Sequence, residues 1–140
     1  MSPRADRNMK NRIITISRIL MLVYAAMVCV LCFMRPGNGV DMSGEWLGIA
    51  TDKIAHFFLF LPFPVLMYMA FHRHKGKPVR LVLFLVLTLL IGAAAGAGIE
   101  LIQLGTGYRS CDIMDFRADC IGLLCGSIAV MTYGAVSRKW

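Results

Sequence analysis

Acidic residues are scarce in this chain and unevenly placed. Eight Asp and Glu stand against fifteen Lys and Arg in 140 residues, and after Asp6 no acid occurs until Asp41. Charged residues of both signs make up only 16% of the chain, while 58% is hydrophobic, which excludes an ordinary water-soluble core. Signatures of nucleophilic or zinc-helix hydrolysis are missing too: neither Gly-x-Ser-x-Gly nor His-Glu-x-x-His occurs. The first apolar run exceeds the 7–15 residues of a secretory h-region and no small-x-small cleavage site follows it, so it reads as an uncleaved helix. Bulky residues before Cys29 and Cys32 exclude a lipoprotein signal. Cys29, Cys32 and Cys125 fall in apolar stretches, where cysteine behaves as a small hydrophobe. Cys111 and Cys120 flank a polar loop and are the pair that could bridge in an oxidising compartment.

What the chain does have is four apolar stretches near the length of about 20 residues needed to cross a bilayer core: 13–33, 54–71, 79–104 and 116–136. The last is the shortest, because Arg117 and Asp119 confine its uncharged part to 120–136. The expected fold is an all-α membrane protein, a four-transmembrane-helix bundle spanning 13–136 between polar tails at 1–12 and 137–140. A net charge of +7 could suggest nucleic acid, but its distribution fits membrane topology. Arg4, Arg7, Lys10, Arg12 and Arg18, then Arg73, Lys75, Lys77 and Arg80, then Arg138 and Lys139, mark both termini and the middle loop as cytoplasmic. The expected location is therefore the cell (inner) membrane, with the bilayer as the main partner and no nucleic acid.

Local signals refine this plan. Pro36-Gly37-Asn38-Gly39 marks a turn after the first helix, and Trp46 suits an interfacial anchor. Pro62 and Pro64 predict a kink in the second helix. His72 and His74 lie in a basic turn with no further metal-ligand spacing nearby, so they read as solvated or headgroup contacts, and no metal site is assigned. Gly92 and Gly96 step by four along the third helix, a packing face through which a second copy could also dock as a homodimer.

Glu100 continues that face, with Gln103 beside it, so both point into the bundle. In the fourth helix Asp112, Asp115, Asp119, Gly122 and Gly126 repeat the design at steps of three and four. Asp52 and His56, four apart, share a face at the outer start of the second helix. Arg109 lies in the connecting loop. The expectation is one outward polar cup formed by Asp52, His56, Glu100, Gln103, Arg109, Asp112, Asp115 and Asp119. Asp52 and the helix-four acids could alternatively serve as helix caps. Glu100, at the unfavourable negative end of its helix dipole, needs a mate, for which Arg109 or His56 is the candidate.

The series Asp52-Lys53-x-x-His56-Phe57, Gly98-Ile99-Glu100-Leu101-x-Gln103, Arg109-x-x-Asp112-x-x-Asp115 and Asp119-x-x-Gly122-x-x-x-Gly126 closely resembles the VanZ-like family of small bacterial membrane proteins. Asp119 departs from it, standing where that family more usually has Asn. The resemblance implies an association with low-level resistance to teicoplanin and related glycopeptides; it carries no reaction and no cofactor.

Three functions fit these residues. The first is a site that binds or helps modify an extracytoplasmic, lipid-linked cell-envelope amphiphile, with Arg109 as a clamp for phosphate or carboxylate. The second is a membrane-embedded hydrolase or transferase, with His56 as base and Glu100 or Asp115 as acid, or with a divalent ion held by His56 and carboxylates. Transport ranks last, since four helices leave little room for a central path and the polar cluster lies on one side with none of it across the midplane.

Overall fold

The computed structural model describes residues 3–34, 44–46, 48–71, 77–106 and 112–137. It contains helices α1 (Pro3–Phe33), α2 (Thr51–Phe60), α3 (Phe63–Phe71), α4 (Pro78–Thr106) and α5 (Ile113–Ser137), with short strands β1 (Glu45–Trp46) and β2 (Ile49–Ala50). Four helical stretches are long and apolar enough to cross a membrane, with α2 and α3 together making the second. Residues 3–12, expected as a polar tail, are helical and extend α1. Proline suits that first helical position because its missing N–H would have no intrahelical partner there, and Asp6 complements the positive end of the dipole.

One element was not expected. β1 and β2 pair antiparallel in a small hairpin, Glu45 opposite Ala50 and Trp46 opposite Ile49, and Gly48 takes a positive φ of 76°. The hairpin runs straight into α2, where the Thr51 N–H and hydroxyl both donate to the Gly44 carbonyl, at 2.9 and 2.7 Å. Trp46 is exposed there.

Where the two prolines predicted a kink the helix is interrupted for two residues, with Leu61 still bonded to the Phe57 carbonyl and Leu66 to the Pro62 carbonyl. Helix α2 stops at Phe60 and α3 starts at Phe63. The break removes most of the cost of both prolines: Pro62 lies between the helices, and Pro64 falls in the first turn of α3, where no intrahelical donor is required. Beside the break, the Tyr24 hydroxyl on α1 donates to the Leu59 carbonyl.

Helix α1 buries one stripe, Ser17, Tyr24, Val28 and Cys32, at the helical period. Tyr24, Val28 and Cys32 join Phe60, Ile99 and Leu123 in one core cluster, and Tyr68, Leu81, Leu85 and Val130 form a second further along the bundle. Large apolar side chains such as Leu22, Leu83, Leu101 and Ile128 are exposed, as lipid-facing residues must be.

Glycines set the closest approaches. A Cβ on Gly122 would lie 2.5 Å from the Phe57 carbonyl oxygen, and one on Gly126 would collide with the Leu61 carbonyl oxygen. The α5 backbone therefore rests directly on α2 and on the break below it. Gly92 and Gly96 face Leu123 and the Asp119 carboxylate of α5. Within the chain this glycine face of α4 packs against α5. At the far end, Arg18 donates to the Ala70 carbonyl at 3.3 Å and lies 5.5 Å from the Phe71 ring centre, joining α1 to α3.

Candidate functional site

The carboxyl end of α4 and the amino ends of α2 and α5 meet at one end of the bundle, and seven of the eight expected site residues fall among the described residues there. Arg109 lies outside them, as does Cys111. Cys120 carries a free thiol.

The rim is built on Lys53. Its ammonium donates to Asp112 Oδ2 at 2.6 Å and to Asp115 Oδ1 at 2.9 Å, and lies 3.7 Å from Asp52 Oδ2. Asp112 also caps α5, its Oδ1 accepting the Met114 N–H at 2.8 Å. The Lys53 ammonium, and after it that amide, hold the Asp112 carboxyl below the usual carboxylate range. Asp52 does not cap α2. The N-cap is Ala50, with no side-chain bond, and Asp52 accepts the neighbouring Lys53 N–H at 2.8 Å.

Beneath the rim the side chains are buried. His56 and Glu100 are each 3% exposed, Asp115 4% and Asp119 0%. His56 Nδ1 is 2.9 Å from Asp119 Oδ1, and Nε2 is 3.9 Å from Asp115 Oδ2. Asp119 reaches His56 because α5 and α2 touch through Gly122, one helical turn further along α5. Among the described residues Glu100 makes no hydrogen bond to His56, and Arg109, the other expected mate, lies outside them. Glu100 Oε2 accepts the Asp112 N–H at 3.0 Å, so an orphan donor at the start of α5 answers a carboxylate at the end of α4.

Gln103 departs most from its expected place. Its Nε2 donates to the Cys32 carbonyl at 2.7 Å, so it tethers α4 to α1 and its amide group does not enter the cup's hydrogen bonds. Among the described residues, three buried side-chain oxygens have no hydrogen-bond partner: Glu100 Oε1, Gln103 Oε1 and Asp119 Oδ2.

His56, Glu100 and Asp119 each present a potential ligand atom, and these atoms lie within 4.8 Å of one another. This is a candidate cation site, and it narrows the divalent-ion alternative of the sequence from His56 with unspecified carboxylates to His56, Glu100 and Asp119. The helix-end spacing placed these residues on one level but could not show their side chains converging.

A match to the VanZ/LLP1 family runs over residues 19–134, from α1 to near the end of α5. The chain belongs to that family. No match was found among curated proteins or among solved structures. Within this VanZ/LLP1 chain, most of the polar residues that carried the resemblance meet at the polar end: Asp52, Lys53, His56, Glu100, Asp112, Asp115 and Asp119. Lys53 belongs with them, although it was not among the expected site residues. Its place beside Asp52 in the motif was the available signal. Tyr24 was overlooked, and its signal was a hydroxyl on the buried stripe of α1.

Proposed function

We propose that this VanZ/LLP1 chain binds, or helps modify, the polar headgroup of a cell-envelope amphiphile at the polar end of its bundle, on the outer side of the cytoplasmic membrane. The observation that carries this reading is the buried set His56, Glu100, Asp115 and Asp119 lying beneath the partly exposed rim of Lys53, Asp52 and Asp112. Buried ionisable groups in a membrane protein are costly and mark functional sites. A headgroup entering from the membrane border would meet the rim while its chains stayed beside the exposed apolar faces of the helices. The outward orientation rests on the basic termini and middle loop. The family resemblance favours a lipid-linked wall precursor or a lipoglycopeptide such as teicoplanin as the amphiphile.

The test pairs a growth assay with a binding assay. The wild-type chain, expressed in a teicoplanin-susceptible Gram-positive host, should raise the inhibitory concentration. Purified in nanodiscs, it should retain an isoprenyl diphosphate lipid. His56→Ala, present in the membrane in equal amount, should do neither. Equal protection and equal lipid retention by that variant would reject the site.

One observation favours a second reading, a membrane-embedded hydrolase or transferase. The pairing of His56 Nδ1 with Asp119 Oδ1 at 2.9 Å is how a carboxylate orients an imidazole that acts as general base through its other nitrogen. Turnover of a lipid-linked substrate that vanishes in Asp119→Asn while binding persists would favour catalysis over binding alone.

A further inference from the structure

We propose that His56, Glu100 and Asp119 form a binding site for a divalent transition-metal ion of the zinc or manganese class. Three observations converge on it. First, the three side chains come from three helices, α2, α4 and α5, are all buried, and bring one potential ligand atom each within 4.8 Å of the others. Atoms so spaced can all lie within about 2.8 Å of a single point, against ~2.0–2.2 Å for zinc bonds to nitrogen and oxygen, so a contraction of under ~1 Å completes the shell.

Second, Glu100 Oε1 and Asp119 Oδ2 are buried without a hydrogen-bond partner among the described residues. An unanswered buried carboxylate oxygen is costly, and a cation answers both. Third, among the described residues carboxylates outnumber the cations paired with them. Asp52, Glu100, Asp112, Asp115 and Asp119 are five carboxylates gathered around the single ammonium of Lys53 among the described residues. Lys53 is committed to Asp52, Asp112 and Asp115, on the rim side. Glu100 and Asp119 are left with His56 and one backbone amide.

The donor set selects the class of ion. An imidazole nitrogen favours zinc and its neighbours over magnesium or calcium, and two carboxylates admit manganese. Three protein ligands leave at least one coordination position for water or an incoming oxygen. Asp115 Oδ2 lies 3.9 Å from His56 Nε2, close to the imidazole but beyond hydrogen-bond distance.

The ion would also offset two of the negative charges of the site. A phosphate-bearing headgroup would otherwise enter against an excess of carboxylates. This last role rests on the function proposed above; the binding of the ion does not.

The experiment begins with the full chain in detergent, stripped by EDTA and dialysed, then titrated with Zn2+ and Mn2+ in a calorimeter with no amphiphile present. One ion per chain is expected, with Glu100→Gln and Asp119→Asn each weakening binding by at least about tenfold. X-ray absorption on the zinc-loaded wild type, which depends on no variant, should show a shell of one imidazole nitrogen and oxygens. No uptake above the blank, unchanged affinity in both variants, or a sulfur-rich shell would each overturn the proposal; the last would place the ion at the cysteines. Phosphatidylethanolamine vesicles doped with an isoprenyl diphosphate separate the two ideas. Ion uptake without vesicle binding leaves the ion site standing and removes the headgroup reading. Vesicle binding that persists in EDTA, with no ion uptake, does the reverse.

Discussion

Gly122→Ala tests how the site is held together. The added methyl carbon would lie 2.5 Å from the Phe57 carbonyl oxygen and 3.1 Å from the Leu61 nitrogen, both backbone atoms of the second span that cannot swing away like a side chain. Relief requires α5 to move off α2 by several tenths of an ångström. Overpacking of this kind costs about 1–3 kcal/mol, partly offset by the ~0.5–1 kcal/mol that alanine gains over glycine within a helix. A net loss of about 1–2 kcal/mol is expected on these terms. The displacement also acts on function, because Asp119 sits one turn before Gly122 and His56 immediately precedes Phe57, so the 2.9 Å contact between them lengthens. Gly98→Ala is the control: nothing lies within 4 Å of its added carbon, so it should be neutral or slightly stabilising. The assay is SDS titration of purified protein in mixed micelles, followed by circular dichroism. A Gly122→Ala variant as stable as wild type, or a Gly98→Ala variant equally damaged, would refute the close-contact reasoning.

Two further outcomes are expected. Lys53→Met removes the cation from Asp52, Asp112 and Asp115, and should lower stability in the same titration by about 1.5–3 kcal/mol, with partial recovery in Lys53→Arg; no loss would show that the rim is not held by charge. Asp112 keeps its charge in the folded chain to lower pH than an unperturbed carboxyl, so its contribution is full above the ordinary value of ~3.9 and disappears as pH falls through the lower folded value. Melting temperatures from pH 6 down to pH 3 should therefore fall more steeply for wild type than for Asp112→Asn below about pH 4, and parallel curves would contradict the assignment.

The sequence alone determined the parts of this protein that depend on one helix at a time. Apolar run length set four spans because a bilayer core has a fixed thickness, and the prolines at 62 and 64 announced the break because proline lacks a donor. Steps of three and four placed Glu100 with Gly96, and Asp115 and Asp119 with Gly122, on common faces. The hairpin at 45–50 escaped that reasoning, being too short for any period to register.

Tertiary structure alone decided how the faces were matched. Helical spacing says which residues share a side but not how far one helix is rotated or shifted against the next. That is settled where Gly122 and Gly126 let α5 lie on the carbonyls of Phe57 and Leu61. From that register follow the pairing of Asp119 with His56, the commitment of Lys53 to the rim, the turn of Gln103 toward α1 and the orphaned oxygens of Glu100 and Asp119. The sequence could name the polar residues of one membrane face, but only side-chain packing between helices could divide them into a charged rim and a buried three-residue cluster.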